Sequence, residues 1–251
     1  MKIAIISDIH GNKLAFDAVL DDIKINGCDK IFCLGDIAMA GYDPNYTIEK
    51  CIELQNTMGR NFEIIQGNTD KLIAHYSETK FLEVNKKSSP MAHALANDIL
   101  IIKQENINFL KNLPENKMVG VNYKKRTMRL HLVHGSPRRQ DENIYPYFEM
   151  SKVENIVSRS YSDIVFCGHT HIPCGFVLNS GQQVINVGSV GRSMIPARMP
   201  VYAILKMNDN NTFEVEHKFV NYDNEKVSRL IADRGFTGAD ELAKMFLKEE
   251  N

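Results

Sequence analysis

Cysteine is scarce and poorly spaced for structural use. The 251-residue chain has five, Cys28, Cys33, Cys51, Cys167 and Cys174, an odd number without a CxxC pair. That argues against a disulfide framework and a thiolate zinc site, and makes a reducing cytoplasm the expected location. Charge of one sign is missing too. With 30 basic residues against 31 acidic ones, a net charge of −1 and no long like-charge block, nothing global draws the chain to nucleic acid or to a membrane. No apolar run approaches the ~20 residues that a membrane helix needs. Residues 2–9 are apolar but interrupted by Asp8 and lack a small-residue cleavage site, so they read as a buried strand, not a signal peptide. No linker, internal repeat or low-complexity segment divides the chain, and one domain over residues 1–251 is expected.

What is present is an ordinary globular balance, 43% hydrophobic and 24% charged, which supports a full core. The apolar run 2–7 predicts a strand covered on both faces. Phe16, Val19, Leu20 and Ile23 recur at helical spacing between a candidate N-cap, Asn12, and a stop at Gly27. A strand at 30–34, a helix at 46–58 and a strand at 62–66 follow. This alternation implies parallel pairing through right-handed crossovers, with strand ends along one edge. Residues 71–112 read as an inserted helical cap. Beyond it the pattern predicts strands at 118–123, 128–134, 164–167, 176–178, 183–187, 201–207 and 213–219, a helix at 151–160 and two short closing helices. Short Gly and Asn turns among the late strands predict a second, more antiparallel sheet packed on the first.

Seven side chains able to bind metal fall at the ends of these strands: Asp8, His10, Asp36, Asn68, His134, His169 and His171. Asp8 and His10 stand two apart where strand one stops, so both reach one side, although a carboxylate there is more often a helix cap. Asp36 and Asn68 follow Gly35 and Gly67, a setting that turn chemistry alone would also explain. Repetition at three successive parallel strand ends favours the ligand reading. His134 ends the strand that also contains His131, and the strand-end position makes it the better ligand. His169 and His171, after Gly168, form the most specific single signal, a His-x-His pair that a divalent metal explains best. Mixed oxygen and nitrogen ligands in this number suit two ions and a hydrolytic centre. The loop Gly188, Ser189, Val190, Gly191, Arg192 is either a tight turn or a phosphate cradle. Arg138 and Arg139 face either substrate or solvent. His75, His93 and His217 read as surface or packing residues.

The ordered series Asp8-x-His10, Gly35-Asp36, Gly67-Asn68, Val133-His134-Gly135 and Gly168-His169-Thr170-His171 resembles the calcineurin-like metallophosphoesterases as far as about residue 207. The segments 41–45, 109–114, 134–138 and 186–191 are similar to its bacterial phosphodiesterase-like and diadenosine-polyphosphate-hydrolase-like members. The resemblance implies an α/β (α+β) fold, a four-layer β-sandwich flanked by helices with a small helical cap. It also implies two divalent ions, manganese first with iron, zinc or nickel as alternatives. Asp8, His10, Asp36 and His171 would hold one ion, and Asp36, Asn68, His134 and His169 the other, with Asp36 bridging. Asp36, Asn68 and His134, with Asp70 as a substitute acid or as the residue orienting His134, would be catalytic. Asn12, Arg138, Ser189 and Arg192 would touch substrate.

One departure stands out. Many family members carry His after the Asn of the third motif, where this chain has Thr69. A missing general acid forfeits roughly 10²–10⁴-fold for a poor leaving group but little for a good one. The expected activity is hydrolysis of phosphoester or phosphoanhydride bonds in a small, possibly nucleotide, substrate whose leaving group departs as a stable anion. A protein-binding scaffold that has lost catalysis is the rival, disfavoured by the complete ligand set. A nuclease is a third reading, disfavoured by neutral charge and the lack of a basic, aromatic-studded groove. Oligomeric state is left open.

Overall fold

Strand β1 (Lys2–Ile6) is followed by helix α1 (Lys13–Ile25). Asn12 caps that helix by accepting the Ala15 N–H, and Ala15, Phe16, Val19 and Ile23 are buried along one face. Strand β2 (Lys30–Cys33), helix α2 (Pro44–Met58), one 3-10 turn and strand β3 (Phe62–Ile64) complete the alternation. Helix α2 starts two residues before the predicted position because Pro44 takes the first turn behind Asp43, whose carboxylate accepts the Tyr46 N–H. Strands β1, β2 and β3 pair in parallel, with Ile6 opposite Cys33 and Cys33 opposite Ile64. Their C-terminal ends are therefore level.

Four helices follow: α3 (Asn68–Ala74), α4 (Glu78–Asn85), α5 (Ser89–Ile101) and α6 (Gln104–Lys111). The helical run begins at Asn68, three residues ahead of the expected 71. Strands β4 (Asn116–Tyr123) and β5 (Arg126–Val133) come next, then helix α7 (Met150–Val157) and strands β6 (Ile164–Cys167), β7 (Cys174–Val177) and β8 (Gln183–Asn186). Strands β9 (Val201–Met207) and β10 (Phe213–Phe219) precede helices α8 (Asn224–Ala232) and α9 (Ala239–Lys244). The computed structural model describes residues 1–124, 126–209 and 212–247.

Two five-stranded sheets result, ordered β10-β9-β1-β2-β3 and β4-β5-β6-β8-β7. This corrects the expectation for the late strands. β9 and β10 do not join the second sheet; they extend the first, antiparallel to β1. The centre of the second sheet, β5-β6-β8, is parallel, with antiparallel strands only at its edges. Alternation along β1 shows why the layers form: Ile3 and Ile5 face the second sheet with Leu130, Leu132 and Phe166, whereas Ala4 and Ile6 face the helices with Phe16 and Val19. Helix α7 covers the outer face of the second sheet through Val153, Ile156 and Val157. The order is helix, sheet, sheet, helix, the expected four layers.

The helices after β3 are tied back to the end of the chain. Arg234, just past α8, donates to Asp98 of α5 at 2.7 Å, to Asn97 at 2.5 Å and to the Gly41 carbonyl. Asp98 is fully buried, and burial lifts its carboxyl to about 7 in spite of the Arg234 charge. An unfolded aspartate titrates near 3.9. Since the folded value lies above the unfolded one, this group's contribution to stability is fully present below about pH 4 and is lost as pH rises through about 7. Denaturant titration of wild type and Asp98→Asn from pH 4 to 8 should show wild type losing ground to the variant as pH rises. A difference that does not move with pH would overturn the assignment.

Candidate metal centre

The level strand ends deliver their side chains through an unusual backbone device. Asp8, His10, Asp36, His169 and His171 all sit in left-handed conformations, with φ of 57°, 50°, 54°, 65° and 61°. Each non-glycine residue there costs of order 1–3 kcal/mol, so the surroundings must impose it. They do so with backbone hydrogen bonds: Asp8 N–H to the Gly35 carbonyl at 2.9 Å, His10 N–H to that of Asp36 at 2.9 Å, and Gly168 N–H to that of His134 at 2.8 Å. Loops from the two sheets are thereby locked together. Two close approaches exclude any side chain, since a Cβ at Gly35 would lie 2.2 Å from the Gly67 nitrogen and one at Gly191 would lie 1.7 Å from the Ile9 oxygen.

Six of the seven predicted ligands are drawn close around one point. The Asp8 Oδ1 lies 3.2 Å from His171 Nε2, 3.6 Å from His10 Nε2 and 3.9 Å from His134 Nε2. The Asp36 Oδ2 lies 3.4 Å from His134 Nε2 and 3.8 Å from His10 Nε2. Asn68 Oδ1 is 2.9 Å from His134 Nε2. Two compact groups emerge, Asp8 with His10 and His171, and Asp8 with Asp36 and His134, each with ligand atoms within 4.8 Å of one another. The carboxylate common to both is that of Asp8, while Asp36 Oδ2 also stands between His10 and His134. His169 is the outlying member: its ring packs against that of His134 at 5.3 Å between centroids, and its N–H donates to Asp8 Oδ2 at 3.0 Å.

Three imidazoles are oriented by backbone carbonyls. Nδ1 of His134 donates to Leu34 O at 2.8 Å, Nδ1 of His171 to Arg192 O at 2.7 Å, and Nδ1 of His10 to Met39 O. A carbonyl only accepts, so each Nδ1 carries hydrogen and each Nε2 turns inward as a ligand atom. His10 Nε2 and His171 Nε2 then face each other at 3.0 Å. Asp8 Oδ1 is buried with no hydrogen-bond partner among the described residues. Apposed lone pairs and an orphaned carboxylate oxygen call for a cation between them. The donor set fits two divalent ions of mixed oxygen and nitrogen preference.

The electrostatics agree. Burial opposes the charged form of every group here. Even so, His171 and His134 hold Asp8 well below the usual carboxylate range, and His134 holds Asp36 low. In return, and against burial, Asp36 and Asp8 lift His134 to about 10. His169 and His171 are lowered, chiefly by burial. Two carboxylates kept ionised in a desolvated pocket make a strong demand for positive charge.

The expected substrate contacts fare differently. Asn12 is fully buried, capping α1 and donating to the Gly191 carbonyl at 2.8 Å. Ser189 is also fully buried, its hydroxyl donating to the Asp8 carbonyl and accepting the Arg192 N–H, both at 2.9 Å. The loop amides of Gly188, Val190 and Gly191 go to Asn186, Ser7 and Asp8. The phosphate-cradle reading of residues 188–192 is therefore corrected: the loop clamps the Asp8 segment, and Asn12 and Ser189 are positioning residues. Arg138 is engaged by Glu142 and Asn155 at the rim of the site. Arg192 is partly exposed, and its guanidinium meets the Met91 and Met245 sulfurs while Nε has no partner among the described residues.

Asp70 does not orient His134, a task taken by Leu34. Its carboxylate accepts the N–H groups of Asp36 at 2.8 Å and of Ile37 and Gly67 at 2.9 Å. Burial, reinforced by the Asp36 charge, raises Asp70 to about 6 against those bonds. Thr69 donates its N–H to Asp36 Oδ1 at 2.8 Å, and its hydroxyl is buried without a partner among the described residues. Asn186 is a residue the sequence did not single out. Fully buried, it donates to Gly168 O at 2.8 Å and to the Thr170 hydroxyl at 2.9 Å, shaping the His-x-His turn. His217 touches the Asn186 carbonyl, and His75 lies at a cleft described below.

Gly191→Ala provides a test of the clamp. The added Cβ must push the Ile9 to His10 backbone, so metal affinity should fall by roughly 10–100-fold, the scale of losing an orienting partner. Calorimetric manganese titration should show that loss while far-UV circular dichroism keeps the wild-type spectrum; unchanged affinity would contradict it.

Comparison with known proteins points the same way. The family model described as calcineurin-like phosphoesterase superfamily domain matches residues 1–210. An uncharacterised protein of Methanocaldococcus jannaschii is 33% identical over 238 residues, 89% of each chain. Among solved structures, a hypothetical protein of Pyrococcus horikoshii matches with a TM-score of 0.83 at 23% identity, covering 100% of this chain and 99% of that one. A metallophosphoesterase of Sphaerobacter thermophilus matches with a TM-score of 0.74 at 24% identity, covering 98% and 100%.

Proposed function

The chain belongs to the calcineurin-like phosphoesterase superfamily and is a phosphoesterase of it, and on that premise we propose a two-metal hydrolase that cleaves phosphodiester or phosphoanhydride bonds. The observation that carries this reading is the convergence of Asp8, His10, Asp36, His134 and His171 as two overlapping ligand groups. Asp8, His10, Asp36 and His171 would hold one ion and Asp36, Asn68, His134 and His169 the other. Asp36 Oδ2, 3.8 Å from His10 and 3.4 Å from His134, suits the shared position. Manganese is proposed, with iron, zinc or nickel also compatible with these donors. When bound, such ions supply Lewis acidity that activates a water near neutral pH and offsets charge on the phosphoryl oxygens.

The chain's own part is to hold and orient. Leu34, Met39 and Arg192 carbonyls fix the imidazoles, Asp70 fixes the Asp36 turn, and Ser189 and Asn12 fix the segment from Asp8 to His10. At the position beside Asn68 the chain offers Thr69, which has no proton of suitable acidity to give a leaving oxygen. A stable anion as leaving group follows, such as a nucleoside phosphate or an activated aryl oxide. In line with the sequence resemblance, diadenosine polyphosphates are candidate substrates. Among the described residues no helix is long and apolar enough to cross a membrane. Five free thiols are consistent with a cytoplasmic location.

Two outcomes test the reading. Removal of metal with a chelator should abolish turnover of an aryl phosphodiester and manganese should restore it, while Asp36→Asn should lower kcat/KM at least about 100-fold and reduce ion stoichiometry. Retention of both in Asp36→Asn would sink the proposal. Separately, wild type should hydrolyse a diadenosine polyphosphate faster than an alkyl monoester, and Thr69→His should raise alkyl ester turnover by about 10-fold or more. Faster alkyl ester hydrolysis by wild type would refute the leaving-group argument.

A further inference from the structure

The cleft beside the metal centre is far larger than a phosphate needs. It encloses about 660 Å³, starts at Asn68 and Thr69, and runs between helices α3 to α5 on one side and residues 138–141 on the other. A liquid water takes about 30 Å³, so a phosphoryl group would leave most of this space open, whereas small organic ligands occupy pockets of about 300–1,000 Å³. The cleft therefore receives a substantial body attached to the reacting phosphorus.

Its lining gives that body a chemistry. Five cationic side chains, Lys71, Lys80, Lys87, Arg138 and Arg139, meet three carboxylates. Lys71 pairs with Glu115, Lys80 with Glu83 at 2.7 Å, and Arg139 with Asp141 at 2.9 Å. These are exposed pairs, worth little each and able to exchange a carboxylate for a phosphate. Lys87 has no ion-pair partner among the described residues. Beneath the charges lie apolar side chains of Met39, Leu72, Val84 and Met91. A purely ionic ligand would gain nothing from that floor, and a neutral one nothing from the rim. The flexible thioethers of two methionines suit flat groups of varied outline.

We infer that this cleft binds the leaving half of the substrate, a nucleoside phosphate whose phosphates meet the lysines and whose base lies on the apolar floor. The inference deepens the hydrolase reading and rests on it for the word leaving, but it has a readout of its own. Helix α4, which carries Lys80 and Val84 and ends just before Lys87, has no fully buried residue, so it can adjust to its occupant without disturbing the core. The cleft also explains where selectivity lies: the metal ligands recognise any phosphoryl group, and α3 to α5 choose what is attached to it.

Equilibrium titration with ADP, adenosine and inorganic pyrophosphate tests this, using the full chain loaded with manganese. ADP should bind at least about tenfold more tightly than either adenosine or pyrophosphate. Lys87→Glu should weaken ADP about fivefold, the scale of reversing one exposed charge contact, with Lys87→Arg near wild type. Both variants should bind manganese with wild-type stoichiometry and keep the wild-type far-UV circular dichroism spectrum. ADP binding no tighter than pyrophosphate or adenosine, or unchanged by Lys87→Glu, would overturn the inference. Wild type inactive on the aryl phosphodiester would instead sink the hydrolase reading, and would do so whatever ADP does.

Discussion

Two ionised carboxylates in a pocket that water does not reach, faced by imidazoles whose other nitrogen is already committed, set the terms for everything around them. Left uncompensated, Asp8 and Asp36 would be among the most expensive groups in the molecule. Their ionisation is held by neighbours, and their position by left-handed turns that no isolated strand end would adopt. The four-layer fold can impose this because each turn is over-determined. Asp8 is fixed through its N–H by Gly35, through its carbonyl by Ser189 and Gly191, and through Oδ2 by His169. Strain at the strand ends is thus supported by the two sheets meeting at one edge.

Much of this was legible along the chain because the fold writes its site at predictable places. Parallel strands separated by helices must end level, and polar residues that interrupt an apolar run at three such ends have few structural excuses. The convergence of Asp8, His10, Asp36, His134 and His171 at the strand ends, the limits of β6, β9 and β10 and the cap of α1 all followed from local pattern. Sheet membership did not. β9 and β10 alternate as well as any second-sheet strand would, and only long-range pairing of Lys2 with Lys206 and Ile5 with Ala203 places them beside β1.

The internal engagement of Asn12 and Ser189 was hidden for a related reason. Whether Asn12 and Ser189 face a ligand or a backbone group depends on what packs above them, and a glycine-rich loop looks alike whether its amides are free or used. Here the first motif packs onto that loop with less space than a single methyl, so the amides are consumed internally. Residues recruited through their carbonyls, Leu34, Met39 and Arg192, carry no side-chain signal at all. The cleft was equally silent, because lysines on exposed helical faces read as solvated surface until helices α3 to α5 are folded against residues 138–141.

Thr69 and the cleft make one chemical statement from two sides. An alkoxide needs a proton to depart, and a donor next to Asn68 would supply it; a phosphate needs none, but it needs cations to receive it. This chain lacks the first beside the centre and provides the second immediately beyond it. Asp70 is a poor substitute donor on geometric grounds. Its oxygens already accept three backbone N–H groups, which commits the carboxyl to holding the turn that presents Asp36 and turns it toward the backbone. The arrangement suits the proposed substrate, one that carries its own stable anion away.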